Sequence, residues 1–390
     1  MLVMFLLCAA VLPQISESIF SPCLPDIAAA YAENMSSVEH VFTTYLVGYA
    51  LGMLLWGSLS DYVGRIKALK FGLGIYLLGA IMCYQAASLN ILLFARFIQG
   101  LGGSACAVIV IALCRDYFEE GKRAKMMAKL GMALSIGPML GPVMGSSILT
   151  YFSWYHVYIP LIVYAVWLFF STGYLPGQSK PDRVPNMRHY IEILQNKHLW
   201  LYAFLIGHSC GIGFSFFSEA PSFFMLSLGF PKQYFFLCFI IVSWAWYFGG
   251  KLSENMLAKH SIDQVMWVGV RFAFSAAVLF CCLVAVFQSQ WVLIMGSLLC
   301  IFSIMLGLGL VIGNAITLAL EPFSEHSGVA ASVLGFLYYG VIALVAAGMA
   351  ELHDGSLYVM PFYWLYVLTV CGLIVYKVTL DRSVNQALVS

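Results

Sequence analysis

The sequence predicts an all-α polytopic membrane protein: twelve transmembrane helices in two six-helix, pseudo-symmetric bundles. Three observations carry this prediction. Of 390 residues, 62% are hydrophobic and only 9% are charged, with a mean hydropathy of +0.90. A soluble chain carries about 25% charged residues and about 45–50% apolar ones. So little charge cannot cover a water-facing surface, which excludes a soluble enzyme, a nucleic-acid binder and a disordered scaffold. Apolar stretches long enough to cross a bilayer, about 20 residues each, recur along the whole chain. Lys and Arg gather in alternate loops.

The spans run over 3–31, 37–61, 67–87, 90–115, 125–151, 154–175, 198–226, 232–254, 263–287, 290–320, 326–352 and 357–380. The N-terminal run from Met1 to Val11 lacks a basic flank and continues into further apolar sequence, so it reads as the first helix and not as a cleaved signal. The longest polar stretch, Pro176 to Lys197, holds Lys180, Pro181, Asp182, Arg183, Pro185 and Arg188. It divides an N-terminal bundle, 1–175, from a C-terminal bundle, 198–390, and a short surface helix is expected through Tyr190 to Leu194.

Numbering the loops from an inside N-terminus tests this map. The inside segments hold Arg65, Lys67, Lys70, Arg115, Lys122, Arg123, Lys125, Lys129, Lys180, Arg183, Arg188, Lys197, Lys251, Lys259, Lys377 and Arg382, sixteen of the nineteen cations. The outside loops hold only Lys232, and Arg96 and Arg271 lie within spans. Cytoplasmic loops retain Lys and Arg, so both termini are expected in the cytoplasm of a bacterial inner membrane protein. A missed helix would have mixed the two sets. The net charge of +1 offers no field for nucleic acid. Most of the eleven cysteines stand singly in apolar runs, and Cys281 and Cys282 have no partners at metal-ligand spacing, so neither a disulfide framework nor a metal or cofactor is expected. Two six-helix halves suggest a transporter that binds its small-molecule substrate near the bilayer midplane, between the halves.

Three motifs give this outline a family. Spans 2 and 3 are joined by Gly57-Ser58-Leu59-Ser60-Asp61-Tyr62-Val63-Gly64-Arg65-Ile66-Lys67. Gly57 permits close helix approach. Asp61, at a helix end in a two-residue loop beside Arg65 and Lys67, can latch one conformation through charge. Span 4 opens with Arg96-Phe97-Ile98-Gln99-Gly100. An arginine inside a span costs roughly 2.5–3.5 kcal/mol on insertion scales and must face a cavity or a partner. Span 5 carries Gly137-Pro138-Met139-Leu140-Gly141-Pro142-Val143-Met144-Gly145, with glycines four apart on one helix face and prolines that remove backbone donors.

The first motif resembles the loop 2–3 signature of the major facilitator superfamily, with Tyr62 where the family often has Arg or Lys. The second is similar to that family's Arg-x-x-Gln-Gly motif and the third to its antiporter motif. Ser18 to Asp26 and Tyr45 to Gly52 are similar to the Bcr/CflA drug-resistance type, a group of drug:proton antiporters. That resemblance covers about residues 15 to 160. The second half matches mainly by architecture, its Gly249-Gly250-Lys251 to Lys259 loop being a worn copy of the first motif. Two departures stand out. The family's helix 1 Asp is replaced by Ser18, with Glu17 as its neighbour. The pattern after span 5 is altered to Trp154-Tyr155-His156-Val157-Tyr158.

Few acids lie inside spans: Glu17 near the middle of span 1, Asp26 and Glu219 in outer halves, Glu351 at an outer end. An apolar setting favours the neutral form of a carboxyl group and suits it to a proton relay. Glu17 and Arg96, taken to lie within reach of each other, are the expected proton-coupling pair. Ser18, Tyr45, Tyr49, Gln99, Glu219, Trp244 and Tyr338 are the expected cavity residues, since aromatic walls suit flat or cationic organic molecules. Gly57, Asp61, Gly64, Arg65 and Lys67 are expected to gate, and Gly137, Pro138, Gly141, Pro142 and Gly145 to form the antiporter face. Asn314 is expected to hydrogen-bond between helices.

The expected function is secondary active transport by alternating access, as proton-coupled efflux of small organic molecules by a monomer in a lipid bilayer. One alternative is a dedicated exporter or importer of a single metabolite or siderophore. Another, from a different class, is a transporter-like sensor. A polytopic membrane enzyme finds no His-Glu-x-x-His helix or nucleophile-and-base set, and no phosphate-binding loop supports direct use of ATP.

Overall fold

In the computed structural model the backbone of residues 2–176 and 187–389 is described. Residues 177–186, with Lys180, Pro181, Asp182, Arg183 and Pro185 of the expected linker, lie outside the described residues, as does the Arg188 side chain.

Twelve helices are long and apolar enough to cross a membrane: α1 Leu2–Tyr31, α2 Met35–Val63, α3 Arg65–Tyr84, α4 Leu89–Tyr117, α5 Gly121–Tyr151, α6 Trp154–Tyr174, α7 Lys197–Ser227, α8 Lys232–Leu257, α9 Ile262–Val286, α10 Gln290–Phe323, α11 Gly328–Leu352 and α12 Val359–Arg382. Lipid cannot satisfy backbone groups, so each span closes its own hydrogen bonds. Polar residues at the span ends supply the first missing acceptors. Asn34 caps α2 at Ser37 N (2.7 Å), Asn196 caps α7 at His198 N (2.9 Å), and Ser261 and Gln264 form a reciprocal capping box at α9. The expected surface helix is present as Met187–Leu194, with Tyr190 and Ile193 buried.

The helices form two six-helix bundles. Within the first, α4 packs on α2 and α3, and α1 on α5; within the second, α10 packs on α8 and α9, and α11 on α7. The most extensive contacts between the bundles pair α2 with α11 and α5 with α8. The bundle symmetry exchanges these pairs, since α8 is the counterpart of α2 and α11 that of α5. Asn314 on α10 donates to Ser253 Oγ on α8 at 2.9 Å, the interhelical bond expected of it.

Two spans differ from the sequence expectation of unbroken helices. In α1 the α-helix stops at Ser18, gives way to a single tighter turn at Ser21–Cys23 and restarts at Leu24. Pro22 and Pro25 lack the N–H that an uninterrupted helix would use there. In α7 the α-helix runs to Ala220 and continues as a wider π-type turn over Pro221–Ser227. α1 and α7 occupy corresponding places in the two halves, and interrupted spans in corresponding places point to the binding site of a repeat-built transporter.

Candidate functional site

Glu17 sits one residue before the end of the unbroken part of α1. It is 2% exposed, and its Oε1 has no hydrogen-bond partner. Ser18 beside it is fully buried and donates back to Gln14 O at 2.9 Å. Just beyond the break, Ser21 Oγ donates across the bundle interface to Phe217 O at 2.5 Å, tying the interrupted part of α1 to α7.

Arg96, on α4, is fully buried. Its Nη1 donates to Gln99 Oε1 at 2.7 Å and Ser16 O at 3.2 Å, and its Nε to Val41 O at 3.3 Å. Its guanidinium lies 4.4 Å from the Phe20 ring centre and 4.2 Å from that of Tyr45. The sequence reading placed Arg96 within reach of Glu17, yet no ion pair joins them. The break in α1 exposes backbone carbonyls, and the guanidinium takes one of those, at Ser16, next to the carboxylate. Ser16 Oγ shares a further hydrogen bond with the Tyr76 hydroxyl.

Above this polar floor stands an aromatic wall shared by both bundles. Tyr45 and Tyr49 of α2 stack at 6.0 Å, Tyr49 meets Tyr339 of α11 at 4.4 Å, and Tyr339 meets Tyr338 at 4.8 Å. The structure therefore gathers Glu17, Ser18, Arg96, Gln99, Tyr45, Tyr49 and Tyr338 into one region. Two expected cavity residues stand apart from it. Trp244 is half exposed and stacked on Phe248 of the same helix. Glu219 lies farther along α7, where His353 Nδ1 approaches its Oε2 at 3.0 Å.

The Gly-Pro stretch of α5 presses on α1 at the same level. A methyl group on Gly141 would lie 2.1 Å from Ser18 Oγ and 2.8 Å from Ile19 N. One on Gly137 would meet Gln14 Cβ at 2.5 Å, and one on Gly145 would meet Ile19 O at 2.3 Å. Only glycine fits along this face. Pro138 and Pro142 sit within the same helix.

Charged groups collect at both ends of the molecule. At the cation-rich end, Asp61 lies in the last turn of α2, not in a two-residue loop as its sequence suggests. The turn to α3 is Gly64 alone, at φ 93°, a backbone that disfavours side chains. Arg65 bridges Asp61, Asp116 (3.5 Å) and Ser60 Oγ (2.7 Å), while Lys67 is exposed. Gly57 faces Ser332 of α11 closely enough that a methyl group would lie 2.6 Å from its hydroxyl. At the cation-poor end, three sets of charged groups cross between the bundles. Asp26 pairs with Lys232 at 2.5 Å, His40 with Glu351 at 3.3 Å, and Glu39 with His353 at 3.4 Å, the latter also holding Glu219. The hydrogen bond that His353 donates to the Glu219 carboxylate raises the imidazole pKa above its ordinary value.

Asp26, Lys232, Glu219 and Glu351 of this cluster stood out in the sequence, but Glu39, His40 and His353 went unnoticed. Glu39 and His40 stand near the start of a span and His353 in a loop, where polar residues read as solvated. No spacing signal links positions so far apart.

With the fold and the site in hand, residues 6–347 match the family model of the Major Facilitator Superfamily. The chain belongs to that superfamily. Superfamily relatives extend over nearly its whole length. An uncharacterized transporter of Rickettsia bellii is 31% identical over 363 residues, 90% of each chain. Multidrug resistance protein D of Escherichia coli is 26% identical over 392 residues, 96% of this chain and 95% of that one. The xylose transporter XylE of E. coli, solved in a partially occluded inward-open conformation, superposes with a TM-score of 0.76 over 96% of each chain at 12% identity. That last likeness concerns the fold alone. The protein is thus a multi-pass membrane transporter of a superfamily in which multidrug resistance proteins occur.

Proposed function

We propose that the protein is a proton-coupled exporter of small organic molecules of the drug:proton antiport type, working as a monomer in the bacterial cytoplasmic membrane. The cation-rich end and both termini face the cytoplasm, in keeping with retention of Lys and Arg there. The observation that carries the reading is Glu17: a buried carboxyl group with an unpartnered oxygen, at the break in α1, within the polar and aromatic region between the bundles. The multidrug resistance names of relatives support the substrate class.

In this mechanism Glu17 exchanges a proton for a cationic or polar substrate. The empty, cytoplasm-facing site keeps the carboxyl group protonated, because an isolated buried carboxylate is costly. A cationic substrate stacked on Tyr45, Tyr49 and Tyr339 supplies the missing counter-charge and displaces the proton. After the site reopens on the other side, protonation of Glu17 removes that counter-charge and releases the substrate. Arg96 fixes the floor of the site through Ser16 and Gln99, and the α5 glycines let α1 move against α5 as a close-packed pair.

The test is transport in proteoliposomes under an imposed pH gradient, with a panel of cations, zwitterions and siderophores. Efflux of several organic cations that stops when the gradient is collapsed is expected. Binding without movement at any gradient would replace this reading with a sensor. Ser18 at the family's helix 1 acid position favours a second reading, dedicated transport of one metabolite or siderophore, which movement of a single compound would select.

A further inference from the structure

The cation-poor end holds a group of side chains that the transport cycle above does not use. Glu39 of α2, Glu219 of α7 and His353, in the loop after α11, converge there. One ligand-capable atom from each lies within 4.8 Å of the others. Glu39 is fully buried and Glu219 is 1% exposed. Two carboxyl groups against one imidazole can both be ionised there only if a further positive charge joins them. His353 Nδ1 serves Glu219 at 3.0 and 3.2 Å, and neither oxygen of Glu39 meets a hydrogen-bond donor in bonding geometry. A fully buried acid beside a second acid, with no donor, must be met by a proton or by a cation, and the second is available wherever the spacing fits a metal.

The spacing says which kind. Zinc binds His nitrogen and carboxylate oxygen at about 2.0–2.2 Å, which puts tetrahedral ligand atoms about 3.3–3.6 Å apart. His353 Nδ1 lies 3.0 Å from Glu219 Oε2 and 3.4 Å from Glu39 Oε1. Two edges of the ligand set are therefore close to zinc length, and the third closes by rotating a carboxylate. An imidazole with two carboxylates suits zinc better than calcium or magnesium, which prefer oxygen ligands alone.

We propose that Glu39, Glu219 and His353 form a transition-metal site of the zinc class, with water as fourth ligand, which clamps the two bundles together at the cation-poor end. Glu39 belongs to the first bundle, and Glu219 and His353 to the second. The ligand set assembles only while this end is closed, so bound metal holds it closed. The sequence singled out Glu219, but nothing in it joined that residue to positions 39 and 353.

The test uses the full chain in lipid nanodiscs with its thiols alkylated and Zn2+ or Co2+ as the probe. Wild type should bind one equivalent of Zn2+, and Co2+ should give the visible spectrum of a tetrahedral nitrogen–oxygen site. Glu39→Gln and His353→Ala should each weaken Zn2+ at least ~10-fold, since even outer-shell partners are worth 10–100-fold. His40→Ala, beside the site and outside the ligand set, should leave it unchanged. Zn2+ should also raise the melting temperature of wild type but not of His353→Asn, a readout that needs only the folded variant. Equal binding by wild type and both ligand variants, or no stoichiometric binding by wild type, would overturn the proposal.

Discussion

The two ends of the molecule are both charged, yet they are built differently. At the cation-rich end, Arg65 draws Asp61, Asp116 and Ser60 together, all within the first bundle. At the cation-poor end, Asp26–Lys232, His40–Glu351 and Glu39–His353 all cross from one bundle to the other. Among the described residues, the ion pairs that join the bundles lie only at that second end. A bond within one bundle stiffens that bundle in every conformation. A bond between bundles exists only while that end is shut. The structure is therefore closed at its cation-poor end, and the proposed alternating-access cycle would have to break those cross-bundle pairs.

The largest effect is expected between the two ends, at the close-packed face of α1 and α5. Gly141→Leu drives a side chain into Ser18 and the backbone of Ile19. Overpacking of this kind costs up to about 3 kcal/mol. A lowered melting temperature in detergent together with lost transport should result. Near-normal transport would show that α1 and α5 do not move as a close-packed pair.

Asp61→Asn should come next. It leaves Arg65, whose side chain is 17% exposed, with weaker partners. Partial solvation reduces the penalty of breaking a buried pair to about 1–2 kcal/mol. Transport should fall about tenfold, 1.4 kcal/mol being a factor of ten. Reactivity of a cysteine at the cation-poor end, for example in Ser21→Cys, should stay as it was. A change there would mean that the network within the first bundle also controls the far end.

A double-mutant cycle of Glu39→Gln and His353→Ala, with chelator present, should show a coupling of about 1 kcal/mol. Alkylation of Ser21→Cys from the cation-poor side would then rise about fivefold in each single variant, with little added in the double. The smallest effect belongs to Lys232→Ala. Its pair with Asp26 is 41% and 36% exposed, and such pairs are worth at most about 0.5–1 kcal/mol and are screened by salt. Alkylation should rise no more than about twofold, and high salt should remove the difference.

Most of the fold was legible in the sequence, because lipid imposes a simple rule: each apolar run long enough to cross becomes a helix. The motifs were legible for the same reason that they are needed. Gly137, Gly141 and Gly145 advertise a face with no room for side chains, and α1 fills it. Two things could not be read. Pro22 and Pro25 cannot donate to Ser18 O and Ser21 O, and the α-helix already ends at Ser18; at that break the carbonyl of Ser16 accepts instead from Arg96 on a distant helix. The expected Glu17–Arg96 ion pair is absent, with Arg96 Nη2 and Glu17 Oε1 both left without a hydrogen-bond partner. Glu219 left the expected cavity for a similar reason: its partner, His353, lies 134 positions away. Contacts between the halves leave no periodic trace in either half.

The proton account rests on one carboxyl group, so the most direct measurement is proton release when a transported cation is added to detergent-solubilised protein in weak buffer. Wild type should release about one proton per bound substrate, and Glu17→Gln should bind more weakly and release none. Release of undiminished size from Glu17→Gln would place proton exchange elsewhere in the molecule and contradict the mechanism.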